Sequence, residues 1–466
     1  MRTLSVLFAA TASLASLDAA YRNVVYYPEW AAEGGYTMAT IDWSLITHIN
    51  YAFAIPQADG SLQFNDEPSS LKTPYAARQF RNVKIGLSIG GGAGSAQFAQ
   101  AASPAVRDTF VNNAVKMMLD LGLDFIDIDW EFPSTAADMA NFVQLLNSLR
   151  TKLNQQTFKA ELTIASIGYR DALWASNLGS ICNTVDAVNI MAYDFTGPWV
   201  DVAGYQSNLY TDGKASNSVD NLVQFYLDHC SAQMLVMGLP IYSRKFQDTD
   251  GLYKSFNKAK AESDGETQYK ELPLAQEKFD ATTKSAYIYN SATRTLHTYD
   301  NPQSVAEKVK YVQSHNLAGT MFWDVAQDAT GDRSLVRTAF NALGGQGALL
   351  VSTNNLNYPT SQYDNVRQGS ATPPQSSTTK PASPTTAKVT TKPTTKPTPS
   401  KGNGCTSYTV KDNDDVYTIT VALCKNEDGC QANGYPTITS ASGEKCPYWI
   451  NTGDLLQVCC TKPAKL

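Results

Sequence analysis

The chain has 466 residues, more than one ordinary domain of about 100–200 residues needs, with 43% hydrophobic and 17% charged residues. That composition excludes a wholly disordered or fibrous protein. Lys plus Arg number 37 against 43 Asp plus Glu, a net charge of −6, so no basic excess exists to meet a phosphate backbone and no nucleic-acid partner is expected. The four histidines (His48, His229, His297, His315) are scattered, and neither HExxH nor CxxC occurs, so no metal or other cofactor is expected.

In chain order, residues 1–20 read as a signal peptide. Arg2 supplies the positive start, Leu4 to Leu14 the apolar run, and Ser13, Ala15, Ala19 and Ala20 the small residues. The run is shorter than the ~20 apolar residues of a membrane span. A secreted, extracellular protein is expected, with no membrane partner. From Tyr21 to about Gly345, short apolar runs alternate with helix-like segments. Strands are predicted at Asn23–Tyr27, His48–Phe53, Lys84–Ile89, Phe125–Asp129, Leu162–Ile167, Ala187–Met191, Leu235–Leu239 and Gly319–Trp323, and helices at Val106–Leu121, Ala137–Leu153, Val219–His229 and Ser304–Ser314. Eight β units alternating with helices predict an α/β chain folded as a (β/α)8 TIM barrel over 21–345. A doubly wound sheet is the rival, but its Gly-rich dinucleotide signature is missing. The stretch Phe246–Tyr299 is too long for a βα loop and predicts a short insertion between strands 7 and 8. Cys182 and Cys230 are either paired or buried thiols.

Residues 346–404 read as a linker. From about Ser370 to Lys401 it is dominated by Thr, Pro, Ser and Lys, with Thr-Thr-Lys-Pro beginning at Thr378, Thr390 and Thr394. No Asn-x-Ser/Thr sequon occurs, and this stretch reads as an O-glycosylated spacer with a reach on the order of 100 Å at ~3.1 Å per residue. Residues 405–466 hold six of the eight cysteines (Cys405, Cys424, Cys430, Cys446, Cys459, Cys460), which predicts a small disulfide-rich module.

The most informative segment is Leu123-Asp124-Phe125-Ile126-Asp127-Ile128-Asp129-Trp130-Glu131. As a strand it places Asp127, Asp129 and Glu131 on one face and Ile126, Ile128 and Trp130 on the other. In a barrel the acids then point inward, toward the C-terminal mouth. Asp124 falls out of phase and is expected to support the strand's start. Burying three carboxylates costs several kcal/mol each unless they are paired, protonated or hydrogen-bonded, a cost that folding alone gives no reason to accept. Crowding also drives their pKa values apart and keeps one protonated as a general acid. A divalent-metal site and a solvated acidic turn are the alternatives. The interleaved Ile, Ile and Trp speak against the turn.

Asp124-x-x-Asp127-x-Asp129-x-Glu131 resembles the DxxDxDxE signature of glycoside hydrolase family 18, the family of many chitinases. Companions stand in the right order: Ser88-Ile89-Gly90-Gly91, Met191-Ala192-Tyr193-Asp194, Tyr242-Ser243-Arg244 and Gly319-Thr320-Met321-Phe322-Trp323, with Tyr26-Tyr27-Pro28-Glu29-Trp30 and Asn50-Tyr51-Ala52-Phe53 at strands 1 and 2. The resemblance implies a secreted chitinase, endo-acting, that cleaves β-1,4 bonds between N-acetylglucosamine units by substrate-assisted retaining catalysis. Glu131 would be acid and base. Asp129 would hold the acetamido N–H, Asp127 would share a proton with Asp129, and Tyr193 would donate to the acetamido oxygen. Tyr26, Phe53, Met191, Asp194, Tyr242, Arg244 and Trp323 would bind the sugar, with Trp323 as its floor. Trp323 and Phe53 read equally as core residues, and Tyr26 equally as a structural hydrogen-bond donor. Ser88 and the run Gly90, Gly91 and Gly92 would support the site by letting backbone pass close under the acidic strand, and Asp124 by supporting the strand's start.

Two departures stand out. Phe125 replaces the family's usual Gly, so packing beside Asp124 must differ. Gly92 stands where Trp often follows SxGG, which removes a sugar platform. With the shorter insertion this implies a shallower cleft and less processive action. Tyr408–Ile419 and Ile450–Leu456 weakly resemble a LysM module, a chitin-binding fold. A disulfide-stapled knob without sugar affinity is the other reading. The expected partner is chitin or chito-oligosaccharides, and the expected state a monomer. Two rival functions remain: a non-catalytic chitin-binding lectin, and an endo-N-acetylglucosaminidase acting on N-glycans.

Overall fold

The structure, a computed structural model, describes residues 20–64, 83–351, 354–368, 405–409, 437–440 and 455–459. The chain divides into two units, 1–375 and 376–466. The first is built on eight parallel strands: Arg22–Pro28, His48–Pro56, Lys84–Gly90, Phe125–Asp129, Glu161–Ser166, Ala187–Ile190, Leu235–Pro240 and Gly319–Trp323. Each pairs with its sequence neighbour, and the eighth pairs with the first, so the sheet closes as a barrel. All eight predicted strands are present, with ends within a few residues of the expected ones.

Closure gives each strand an inner and an outer face. On the fourth strand, Ile126, Ile128 and Trp130 face outward and join the main apolar core. Trp130 stacks on Phe98 at 5.2 Å and meets Phe142 edge-on at 5.8 Å, which fastens the strand to the helix Ala136–Leu153. That helix begins at a capping box between Thr135 and Asp138. Cys182, which ends the helix Ala172–Cys182, is disulfide-bonded to Cys230, just beyond the helix Val219–Leu227; this settles the open choice for these two cysteines.

Phe125 faces inward and forms part of the barrel floor, with its ring edge-on to His48 at 5.6 Å. Its cross-strand partner is Gly86, where a Cβ would lie 2.1 Å from the Phe125 ring. The departure at position 125 is thus accommodated by the absence of a side chain at 86. Gly86→Ala is expected to destabilise the barrel by about 1–3 kcal/mol, and adding Phe125→Leu to recover part of that loss, as read by chemical denaturation. No recovery in the double variant would mean that the two positions do not share this space.

Beside this ring lies a buried ion cluster. Glu161 receives Lys84 Nζ at 2.5 Å and Arg22 Nη1 at 2.9 Å. Arg22 Nη1 also lies 3.0 Å from His48 Nε2. His48 Nε2 is 3.3 Å from Glu161 Oε2, and His48 Nδ1 is 2.8 Å from Thr47 Oγ1. Burial, reinforced by Arg22, holds the His48 pKa down to about 4. Burial alone would raise the Glu161 carboxyl, but His48, Arg22 and Lys84 override it and hold it far below the usual range.

The insertion after the seventh strand is a five-stranded antiparallel sheet, of which Tyr242–Phe246 and Glu266–Gln268 matter below. The linker expectation needs correction at its start: residues 354–368 pack on the closed end of the barrel. Asn355 N–H and Tyr358 Oη donate to Asp124 at 2.6 and 3.4 Å, Tyr358 Oη reaches Leu123 O at 2.8 Å, and Ser361 Oγ reaches Asp120 O at 2.6 Å. Asp124 also accepts from Ile85 N–H at 3.0 Å, which ties it to the start of the third strand. Burial raises its pKa to about 7 against these donors.

In the second unit, Cys405–Thr409, Leu455–Cys459 and Thr437–Ser440 form a three-stranded antiparallel sheet with Leu455–Cys459 in the centre. The stretch read as a signal peptide, the Thr/Pro-rich stretch from Ser370 to Lys401, the pairing expected of the six C-terminal cysteines and most of the LysM-like stretches lie outside the described residues.

Candidate active site

The inward face of the fourth strand carries Phe125 at the floor, Asp127 in the middle and Asp129 at the top, with Glu131 just beyond the strand's end. Asp127 is fully buried one layer below the mouth, and donors hold both its oxygens. Tyr26 Oη and Ser88 Oγ each reach Oδ2 at 2.8 Å, while Thr163 Oγ1 and Asn189 Nδ2 reach Oδ1 at 2.6 and 3.4 Å. Burial nevertheless outweighs these four donors and raises its pKa. Ser88 thus steadies the acid rather than reacting itself. Tyr26 is both a structural donor and part of the cavity wall. Gly90 has φ +112°, and a Cβ there would meet Asp129 O at 2.2 Å; Gly91 has φ +76° and donates its N–H to that same oxygen at 2.8 Å. The close passage of backbone under the acidic strand is therefore real.

Asp129 is buried, and among the described residues its Oδ1 has no hydrogen-bond partner. Burial first, then the charges of Glu131 and Asp127, push its pKa well up and favour its unionised form. Glu131 is raised to about 7, by burial and then by Asp194. Its backbone N–H donates to Ser95 Oγ at 2.8 Å, and that hydroxyl in turn donates to Gly91 O at 2.9 Å. Tyr193 is buried, with its ring edge-on to Tyr242 at 6.3 Å. Asp194, at φ +59°, accepts Tyr242 Oη at 2.8 Å and the bidentate fork of Arg244 at 2.7 and 2.6 Å.

These groups surround one open cavity of about 950 Å³ at the barrel's C-terminal mouth. Every residue expected to touch the sugar lines it: Tyr26, Phe53, Met191, Asp194, Tyr242, Arg244 and Trp323, together with Asp129, Glu131 and Tyr193. Phe53 and Trp323 stack at 5.4 Å, and Trp30, 45% exposed, continues the aromatic row at 6.3–6.4 Å from both. Non-proline cis peptide bonds at Ala52–Phe53, Glu131–Phe132 and Trp323–Asp324 all lie at this mouth. Gly92 also lines it, with a Cβ position 3.6 Å from Glu131 Oε1, so the missing platform would have stood against the acid.

Sequence reasoning missed several members. Ser95 orients Glu131 from a loop 36 residues away. Tyr169, edge-on to Phe132 at 6.0 Å, and Trp199, whose ring centroid lies 5.0 Å from the Arg244 guanidinium, stand on the rim, as does Glu266. Only the register of strands and loops brings these together, and no local pattern marks them. Among the described residues, no group of three or more metal-ligating side chains suited to an ion is present.

A closed eight-stranded barrel with a carboxyl raised toward neutrality above buried aspartates and an aromatic floor is the site of a glycosidase. The sequence pattern of glycosyl hydrolases family 18 matches residues 22–328, and the chain belongs to that family. It is 34% identical over 387 residues to Chitinase 1 of Aphanocladium album, covering 75% of this chain and 91% of the relative. It is likewise 34% identical to Endochitinase 1 of Metarhizium robertsii, over 75% and 90%. The Group IV chitinase of Ostrinia furnacalis in complex with allosamidin superposes with a TM-score of 0.64 at 26% identity, covering 71% of this chain and all of that one. A class V chitinase of Nicotiana tobaccum in complex with NAG4 superposes with a TM-score of 0.63 at 27% identity, over 70% and 99%.

Proposed function

We propose that this protein is an exported, monomeric chitinase that hydrolyses β-1,4 bonds within chitin or chito-oligosaccharides. The observation that carries the reading is the acid ladder: a carboxyl at Glu131 poised near neutrality directly above a buried aspartate, Asp129, whose unionised form burial favours. A protonated carboxyl is a poor nucleophile. The chemistry therefore needs a nucleophile from the substrate, which a 2-acetamido group supplies.

Glu131 gives its proton to the leaving glycosidic oxygen as the C–O bond breaks. The acetamido carbonyl oxygen attacks the anomeric carbon and forms an oxazolinium ion, with its N–H directed to Asp129. The Asp129 proton is shared with Asp127, whose charge the four surrounding donors stabilise. Tyr193 donates its hydroxyl to the acetamido oxygen and keeps it in line. Glu131, now a carboxylate, takes a proton from water, which adds at the same carbon and opens the ring with net retention. Phe53 and Trp323 form the apolar floor, while Asp194, Tyr242 and Arg244 supply the polar contacts. The N-terminal segment would direct export, and the module at 405–466 would hold the enzyme on its polymer.

Hydrolysis of N-acetylglucosamine hexamer, followed by chromatography fast enough to resolve anomers, tests this. The expected first products are internal-cleavage fragments in the β configuration. Initial α-anomers would exclude the retaining mechanism. Binding without cleavage would mean a lectin, and glycan release from a glycoprotein without chitin cleavage would mean an N-glycan hydrolase.

A further inference from the structure

Arg244 has five N–H donors, and Asp194 occupies only two of its nitrogens, Nε and Nη2. The remaining nitrogen, Nη1, donates to Glu266 Oε1 at 2.6 Å. Glu266 comes not from the barrel but from the strand Glu266–Gln268 of the inserted sheet, directly across from Arg244 in register, and it lines the cavity. The rings of Trp199 and Tyr242 lie 5.0 and 5.3 Å from the guanidinium. Arg244 is thus fixed on three sides, with two carboxylates sharing one cation. We propose that Glu266 is a positioning residue for the reaction: it anchors Arg244 and leaves the Asp194–Arg244–Glu266 chain with one uncompensated negative charge facing Glu131. This assigns the insertion a task in the chemistry besides shaping the cleft.

The sign follows from the charges that surround the acid. The fourth strand presents Asp129 to Glu131, with Asp127 one layer below, and the segment after the sixth strand presents Tyr193 and Asp194. Tyr26 comes from the first strand, Tyr242 and Arg244 from the start of the insertion, and Tyr169 with Arg170 from the loop after the fifth strand. Removing the Glu266 charge leaves Arg244 to answer Asp194 alone, and the chain becomes neutral overall. The potential at Glu131 becomes less negative and its proton leaves more easily.

The proposal rests on the reading of Glu131 as the acid. The test is the pH profile of kcat/KM on a chito-oligosaccharide at low and high salt. In Glu266→Gln the alkaline limb is expected to move to lower pH by a few tenths to about one unit at low ionic strength. Near 1 M salt the shift should shrink, because Glu266 is exposed and screened. Glu266→Asp, which keeps the charge, should retain the wild-type limb. An unmoved limb in Glu266→Gln, or an equal shift in Glu266→Asp, would overturn the proposal, whatever happens to KM. Failure of the underlying reading shows separately, as full hydrolysis by Glu131→Gln.

Discussion

Glu131→Gln is expected to lower turnover of chitin oligosaccharides by about 10²–10⁴-fold, the usual worth of a general acid–base, while the cavity continues to bind them. The same variant is expected to be more heat-stable than the wild type at pH 8 and equal to it near pH 4. In the folded protein the Glu131 pKa is about 7, above the ordinary 4.5. The stabilising share of the raised pKa is complete below about pH 4.5 and is lost as the pH climbs through 7. Above that point the native state must hold a charge against burial and Asp194, which costs up to about 3 kcal/mol. A glutamine never carries that charge. Melting curves of both proteins at pH 4 and pH 8, with activity measured alongside, decide the matter. A wild type that is the more stable at pH 8, or a variant that still hydrolyses, would remove Glu131 from its assigned role.

The largest effect on folding is expected at the other end of the barrel. Glu161→Gln leaves Arg22 and Lys84 buried side by side without their carboxylate, and breaking such a cluster costs about 3–5 kcal/mol. The melting temperature at pH 7 should fall by on the order of 10 °C. The depressed pKa of Glu161 stabilises the fold above the unfolded-state value of about 4.3, and that share is lost as the pH falls below it. The gap between wild type and variant should therefore be full at pH 6–7 and narrow steadily below pH 4. A constant gap across that range would mean that the side chain's packing, not its charge, holds the floor together.

The barrel was legible because each strand is a short apolar run ending at a change of pattern. The acids were legible because period-2 alternation of Asp with Ile and Trp leaves little else to fold into. Other features had no such mark. Residues 354–368 bury Tyr358 and Val366 and bind through Asn355, Tyr358 and Ser361, but they carry no apolar run or period and read as spacer. The helix Ala172–Cys182 carries Gly179 and a scatter of Ser and Asn that blur its stripe. Ser95 and Glu266 act across 36 and 22 residues of sequence, through distances that only closure of the barrel and the pairing of the inserted sheet create.

The segment docked under Asp124 also bears on how such a chain can change over evolutionary time. It ends at the closed end of the barrel, one strand-length away from the acids. The strand Phe125–Asp129 stands between the two: its first neighbour, Asp124, receives the tail, and its last residues present the carboxylates. Substitutions in the docked segment are thereby separated from selection on the chemistry by one short run of five residues.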